Sequence, residues 1–326
     1  MKKENCILLV DDEPTNLKLL RQALSADYEL LYANNGDVAL MVAKEHKPDL
    51  ILLDVMMPGK NGFDVCYELK KDKETARIPV IFVTALGDQV NEKLGFDVGA
   101  VDFIIKPISI PIVKRRIKTH LSLVHTNDLE ELATSAIKMF GEAGHYNDTD
   151  TGLHIWRMAS YASALAIASG WSNRDAKTLE LAAPLHDTGK IGVPDSILKA
   201  PRKLTDDEWN IMKSHTTIGH SILSKCSNPI FVLAADIALS HHEKWDGSGY
   251  PNGLKEREIS EGCRIVSIAD VFDALTMKRP YKDAWPVEDA LNYLEQNSGT
   301  HFDPHLVSLF MSIKDEIMSI KEAMRD

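Results

Sequence analysis

At 326 residues, with 44% hydrophobic and 26% charged side chains, the chain has the length and balance of two globular domains. A formal charge of −11 argues against nonspecific binding of long nucleic acids such as DNA, because that affinity rests on Lys and Arg neutralising phosphates. No apolar run approaches the roughly 20 residues of a membrane span, the first residues are too briefly apolar for a signal peptide, and the four scattered cysteines show no C-x-x-C spacing, so a cytoplasmic protein without disulfides or a thiolate zinc site is expected.

Short apolar runs at 6–10, 29–33, 50–53, 79–83 and 102–105 alternate with helix-period segments, which predicts a five-stranded parallel, doubly wound α/β domain. In such sheets ligands gather beyond the carboxyl ends of the strands. Polar residues accumulate there: Asp11 and Asp12 after the first strand, Asp54 after the third, Thr84 after the fourth and Lys106 after the fifth. Three acids at neighbouring strand ends make an oxygen-only site suited to Mg²⁺ or Mn²⁺ rather than a soft metal. An ion held there would neutralise a phosphoryl group arriving at Asp54, while Thr84 hydrogen-bonds and Lys106 pairs with the phosphoryl oxygens. One strand-end acid alone more often caps a helix or faces solvent; five such groups at the same edge do not.

After Lys106-Pro107 the strand pattern stops. Val113, Ile117, Leu121 and Val124 recur at helical spacing, and Asn127-Asp128 offers a cap for a second helical stretch with Leu129, Leu132 and Phe140. This reads as a linker helix packed on its neighbours or as a homodimer seam, although fewer than three or four clean heptads are visible. From about Thr151 nearly everything reads helical, broken by Pro- and Gly-rich loops at 192–201 and 247–253. The expected domains are 1–121, a connector at 122–143, and 144–326.

The histidines of this second half have informative neighbours. His154 follows Asp150 by four, so a helix would put both on one face. His186-Asp187 ends an apolar segment, His215 lies in "KSHTTIGH", His241-His242 opens "HHEKWDGSGYP", and Asp270 lies in "IVSIADVFDALT". A lone histidine is usually a satisfied core residue, but adjacent His-Asp and His-His pairs at the ends of apolar helices are the composition of a bundle with inward-pointing ligands. Eight imidazole and carboxylate candidates exceed the needs of one ion, so two ions sharing Asp187 is the economical arrangement. N and O ligands without thiolate favour Fe, Mn, Ni or Co in an open catalytic site. Two such ions roughly 3.5–4 Å apart activate water and stabilise in-line displacement at phosphorus.

The motifs "ILLVDDEP", "PDLILLDVMMPGKNGFD", "IPVIFVTA" and "GAVDFIIKPI" resemble a receiver domain of bacterial two-component signalling over residues 1 to about 120. That resemblance implies that Asp54 is the phosphoacceptor, that Asp11 and Asp12 help hold Mg²⁺, that Phe103 stands at the aromatic switch position, and that a sensor histidine kinase is a partner. From about 135 to 326, "DTGLHIWR", "HDTGKIGVPDSIL", "HTTIGH", "HHEKWDGSGYP", "RIVSIADVFDALT" and "RPYK" resemble the HD-GYP family of the HD phosphohydrolases, named for His186-Asp187 and Gly249-Tyr250-Pro251. This half is therefore expected to be an α-helical HD-type bundle.

The second resemblance implies a phosphodiesterase that linearises cyclic di-GMP to pGpG and in some members continues to GMP. It also implies one metal on His154, His186, Asp187 and Asp270, with Asp187 bridging to a second metal on His215, His241 and His242. Asp150 stands where many members have Glu, one methylene longer, and bears on a third metal. Lys190 would touch the scissile phosphate or protonate the leaving 3′-oxygen, Arg279 and Lys282 would pair with the other phosphate, and Tyr250 would stack on a guanine or bind a partner. For Arg157, Lys244 and Lys278 a solvated-surface or structural-ion-pair reading weighs as much as a substrate contact. Two other functions are kept beside this one: hydrolysis of 3′,3′-cyclic GMP-AMP, and a non-catalytic effector that binds a nucleotide or a diguanylate cyclase through the Gly249-Tyr250-Pro251 loop. Metal analysis and turnover of a cyclic-dinucleotide panel separate the three.

Overall fold

In a computed structural model, residues 5–85, 89–145, 152–277 and 283–324 are described. Contacts divide the chain into two compact units, 1–131 and 132–326.

The first unit alternates strands and helices: β1 (Cys6–Val10), α1 (Pro14–Leu24), β2 (Glu29–Ala33), α2 (Gly36–His46), β3 (Leu50–Asp54), α3 (Gly62–Lys71), β4 (Val80–Thr84), α4 (Gln89–Asp97), β5 (Asp102–Ile105) and the start of α5 (Ile110–His145). The strands form one parallel sheet in the order β2-β1-β3-β4-β5. Successive strand residues face opposite sides, so Leu8, Val10, Ile51, Leu53 and Phe82 build one core while Ile7, Leu9, Leu50, Leu52, Ile81 and Val83 build the other. Burial on both faces accounts for continuous apolar runs without polar alternation. β3 and β4 each end one residue later than expected, on Asp54 and Thr84, which makes these polar residues the last members of their ladders.

A single helix, α5, replaces the two helical stretches expected on either side of Asn127. No Gly or Pro interrupts 112–140, and Asn127 and Asp128 point to solvent, where they do not compete for backbone groups. The expected connector at 122–143 thus lies inside one continuous helix.

The second unit is helical: α6 (Gly152–Ala168), α7 (Asn173–Ala182), α8 (Asp195–Leu198), α9 (Asp206–Lys213), α10 (His215–Leu223), α11 (Pro229–Ser240), α12 (Glu261–Thr276), α13 (Val287–Gln296), α14 (Pro304–Ser312) and α15 (Lys314–Ala323). Its core joins Met158, Leu165, Leu179, Ile237, Ile268 and Phe310, drawn from α6, α7, α11, α12 and α14. α8 is a single helical turn within the loop expected at 192–201. Among the described residues no helix is long and apolar enough to cross a membrane.

Candidate functional site

After α7 the chain tightens into 3-10 turns at Ala183–Leu185 and Thr188–Gly192, and His186 and Asp187 sit at their junction. A Cβ at Gly189 would lie 1.8 Å from the His215 carbonyl oxygen and 2.5 Å from the Gly219 nitrogen. Only glycine lets this segment lie directly on α10, whose first residue is His215. α11 ends at Ser240 and delivers His241 and His242 to the same place. One ligand atom from each of Asp187, His215, His241 and His242 lies within 4.8 Å of the others.

Backbone carbonyls set the orientation of three rings. Nδ1 of His186 is 2.8 Å from the Ala183 oxygen, that of His215 is 2.7 Å from the Met212 oxygen, and that of His241 is 3.0 Å from the Ile237 oxygen. Because a carbonyl only accepts, each Nδ1 carries a proton; in the His215 and His241 rings Nε2 therefore keeps its lone pair, while Nε2 of His186 donates to the Asp187 carboxylate. These Nε2 atoms lie 3.2 Å (His186), 3.4 Å (His215) and 3.7 Å (His241) from the Asp187 carboxylate. Nε2 of His215 and of His241 is buried with no hydrogen-bond partner among the described residues, an arrangement that costs free energy until a cation takes the lone pairs.

Burial holds His215 and His241 below the ordinary imidazole range and pulls His242 down to about 4, so these three rings are neutral donors near pH 7. Burial also opposes charge on His186, but the adjacent Asp187 carboxylate outweighs it, with Asp270 adding to the effect, and pushes His186 up to about 9. Asp187 remains well below the usual carboxylate range: burial would raise it, yet Lys190, 2.7 Å away, and His186 prevail.

Asp270 lies on α12 and His154 on α6. Nδ1 of His154 hydrogen-bonds Asp273, one turn beyond Asp270. Arg157, left open by its sequence between a substrate contact and a surface or structural ion pair, is 1% exposed. Its guanidinium grips Asp273 at 2.6 and 3.0 Å and donates to the Met324 carbonyl at 2.9 Å. Asp273 therefore turns His154 as the carbonyls turn the other rings. Its i+3 spacing from Asp270 was the only signal for it in the sequence.

Glu243, immediately after the paired histidines, is 2% exposed and accepts hydrogen bonds from the backbone N–H groups of Asn252 (2.7 Å) and Leu254 (3.1 Å). This carboxylate ties the 247–254 loop to the ligand-bearing segment. At Gly249 a Cβ would meet the Lys244 nitrogen at 2.4 Å and the His242 oxygen at 2.6 Å, so the loop lies flat on the His-His backbone. The Tyr250 ring consequently stacks on His242, with centroids 4.8 Å apart and planes 29° apart. Asp150, Lys278, Arg279 and Lys282 lie outside the described residues.

In the first unit Asp11, Asp12 and Asp54 form a second cluster of candidate ligands. Lys106 Nζ reaches Asp54 at 2.8 Å and Asp11 at 3.0 Å. Burial raises the Asp54 carboxyl despite the Lys106 ammonium beside it. Thr84 ends β4 opposite Ile105 and Phe103 stands on β5 opposite Phe82; both are buried, and the Phe103 ring packs on Phe96 (5.0 Å) and Phe82 (5.4 Å).

Comparison with known proteins matches a response regulator receiver domain over residues 7–118 and an HD domain over 129–306, the latter more than half of the chain. The chain is 36% identical to the cyclic di-GMP phosphodiesterase response regulator RpfG of Xanthomonas campestris, covering 96% of this chain and 89% of that one. It is 35% identical to a cyclic di-GMP phosphodiesterase of Thermotoga maritima, covering 98% and 93%. A 3′3′-cGAMP-specific phosphodiesterase 2 of Vibrio cholerae is 42% identical, but over only 61% of this chain and 38% of its own length.

Proposed function

Because the chain belongs to the response-regulator cyclic di-GMP phosphodiesterases, in which a receiver domain is joined to a divalent-metal HD domain, we propose a specific division of labour among its residues. Asp187 is the shared ligand, with His154, His186 and Asp270 on one ion and His215, His241 and His242 on the other. Asp150 is the candidate for a third. The observation that carries this reading is the set of buried imidazoles, His186, His215 and His241, each held by a backbone carbonyl so that Nε2 faces the one carboxylate. Nitrogen and oxygen donors without thiolate support Fe, Mn, Ni or Co.

When bound, the ions supply Lewis-acid charge that polarises the phosphoryl group and acidifies water. The protein's own part is to place and protonate. Lys190, whose ammonium lies 2.7 Å from Asp187, is assigned to the scissile phosphate. As a water oxygen bonds to phosphorus and its proton passes to solvent, the bond to the 3′-oxygen breaks, Lys190 gives that oxygen a proton and pGpG forms. Tyr250 lines the same site, and Arg279 and Lys282 are assigned to the second phosphate. In the receiver, Asp54 accepts the phosphoryl group from a sensor kinase beside Mg²⁺ on Asp11 and Asp12, Lys106 and Thr84 hold its oxygens, and Phe103 relays the change. Residues 122–143, between functional domains at 1–121 and 144–326, carry it onward along α5.

Cyclic di-GMP is favoured over 3′,3′-cyclic GMP-AMP because the relatives matched over nearly their whole length carry the former in their names. A homodimer is supported by Leu129, Leu132 and Phe140, all exposed on α5; a diguanylate cyclase at the 249–251 loop gains no such support among the described residues. Free rather than paired cysteines support a cytoplasmic setting. Protein loaded with Mn²⁺ or Fe²⁺ should linearise cyclic di-GMP, and Asp187→Ala should lose both metal and turnover while keeping its helical circular dichroism. Absence of turnover across a cyclic-dinucleotide panel and several metals, with and without beryllofluoride, would overturn the assignment.

A further inference from the structure

The geometry points to a base-stacking shelf at Trp209, beside Tyr250, that holds one purine of the cyclic dinucleotide; this rests on the phosphodiesterase reading above. Trp209 is 46% exposed, a large indole left in water on α9 and absent from the hydrophobic core of its unit. The helix beneath it is firmly set. Thr205 and Glu208 close a reciprocal capping box at its start, and Arg202 grips the Glu208 carboxylate with two 2.7 Å bonds.

A continuous run of rings links this indole to the ligand cluster. Trp209 meets Tyr250 at 6.2 Å with planes 76° apart, Tyr250 stacks on His242 at 4.8 Å, and His242 lies 4.0 Å from His241 and 5.2 Å from His215. Lys213, one helical turn beyond Trp209 on the same face of α9, places its ammonium 6.0 Å from the Tyr250 ring centroid. The site thus presents metal ligands at its floor, a stacked Tyr as its wall, and a cation and an indole at its rim. A cyclic dinucleotide has the matching order of chemistry: phosphate in the ring, then ribose, then a flat purine projecting outward. With one phosphate at Asp187, a base extending toward the rim finds the indole as an apolar face. Stacking of this kind adds binding without reading base edges.

The test is steady-state turnover of cyclic di-GMP by the full-length, metal-loaded enzyme. Truncation of a stacking residue removes interaction present equally in ground and transition states, so Trp209→Ala should raise KM roughly 10- to 100-fold with kcat within about twofold. Trp209→Phe, which keeps a π-face, should recover most of the loss. Added pGpG should quench the part of the emission that wild type has and Trp209→Phe lacks. A wild type that turns over cyclic di-GMP, with KM of Trp209→Ala within about twofold of it, overturns the shelf and spares the enzyme assignment. A fall in kcat of Trp209→Ala with unchanged KM also overturns it, as does pGpG binding without quenching. A wild type with no turnover brings down the assignment and the shelf together.

Discussion

Replacing Glu243 with Ala removes the acceptor for two backbone N–H groups, those of Asn252 and Leu254, at a position that is 2% exposed. Hydrogen bonds to a charged group contribute about 1.5–3 kcal/mol each, and a buried donor left without a partner costs a similar amount. The two together put the loosening of the 247–254 loop at about 3–6 kcal/mol. At about 1.4 kcal/mol per factor of ten, even the lower figure means more than about 100-fold faster amide exchange at Asn252 and Leu254. Glu243→Gln keeps one acceptor oxygen but turns an NH₂ toward the second donor, so its effect should be intermediate. Because Tyr250 sits on His242 only while this loop lies flat, kcat/KM for cyclic di-GMP should fall by roughly 10- to 100-fold, the range seen when outer supports of a metal site are removed. Native-state hydrogen exchange read by mass spectrometry, with steady-state kinetics on the same samples, measures both. Unchanged protection of 252 and 254 in Glu243→Ala, or full activity despite lost protection, would refute the reasoning.

Removing Asp273 strands a buried Arg157, so Asp273→Ala should destabilise the second unit by about 3–5 kcal/mol, and Arg157→Met on the same background should restore part of it. Denaturant titration of the three proteins tests this, and a measured metal content below that of wild type would show that His154 has lost its orientation. In the receiver, Asp54→Ala should leave basal turnover intact while abolishing any change on adding beryllofluoride. A persisting response would place the phosphoacceptor elsewhere.

Much of the architecture was legible because it rests on local rules. Strands buried on both faces appear as unbroken apolar runs, and the polar residues at or just past their ends mark the candidate ligand edge, hence Asp11, Asp54, Thr84 and Lys106. The ordered His and Asp motifs were equally visible, since ligand chemistry restricts residue type. The helix start expected at Asn127-Asp128 is absent, although that pair has the composition of a cap. A cap forms only where the chain leaves the helix, and in α5 the surrounding residues keep the helix going.

Residue types and spacing by themselves determined the two domains, the carboxylate cluster and the inventory of candidate metal ligands, because helix and strand periods and metal preferences act on neighbours in the chain. Only the tertiary structure decided which atoms of that inventory face one another. Backbone carbonyls from Ala183, Met212 and Ile237 set the orientation of three histidines, Asp273 reaches His154 across 119 positions, Glu243 pins a loop beyond it, and Trp209 joins the ring of Tyr250. The Asp273 and Trp209 contacts depend on packing between elements distant in sequence, and the carbonyl contacts, though only three or four residues apart, depend on the rotamer that this packing leaves to each ring. No local pattern carries that information: a buried Glu or an exposed Trp looks, in the sequence, like any other.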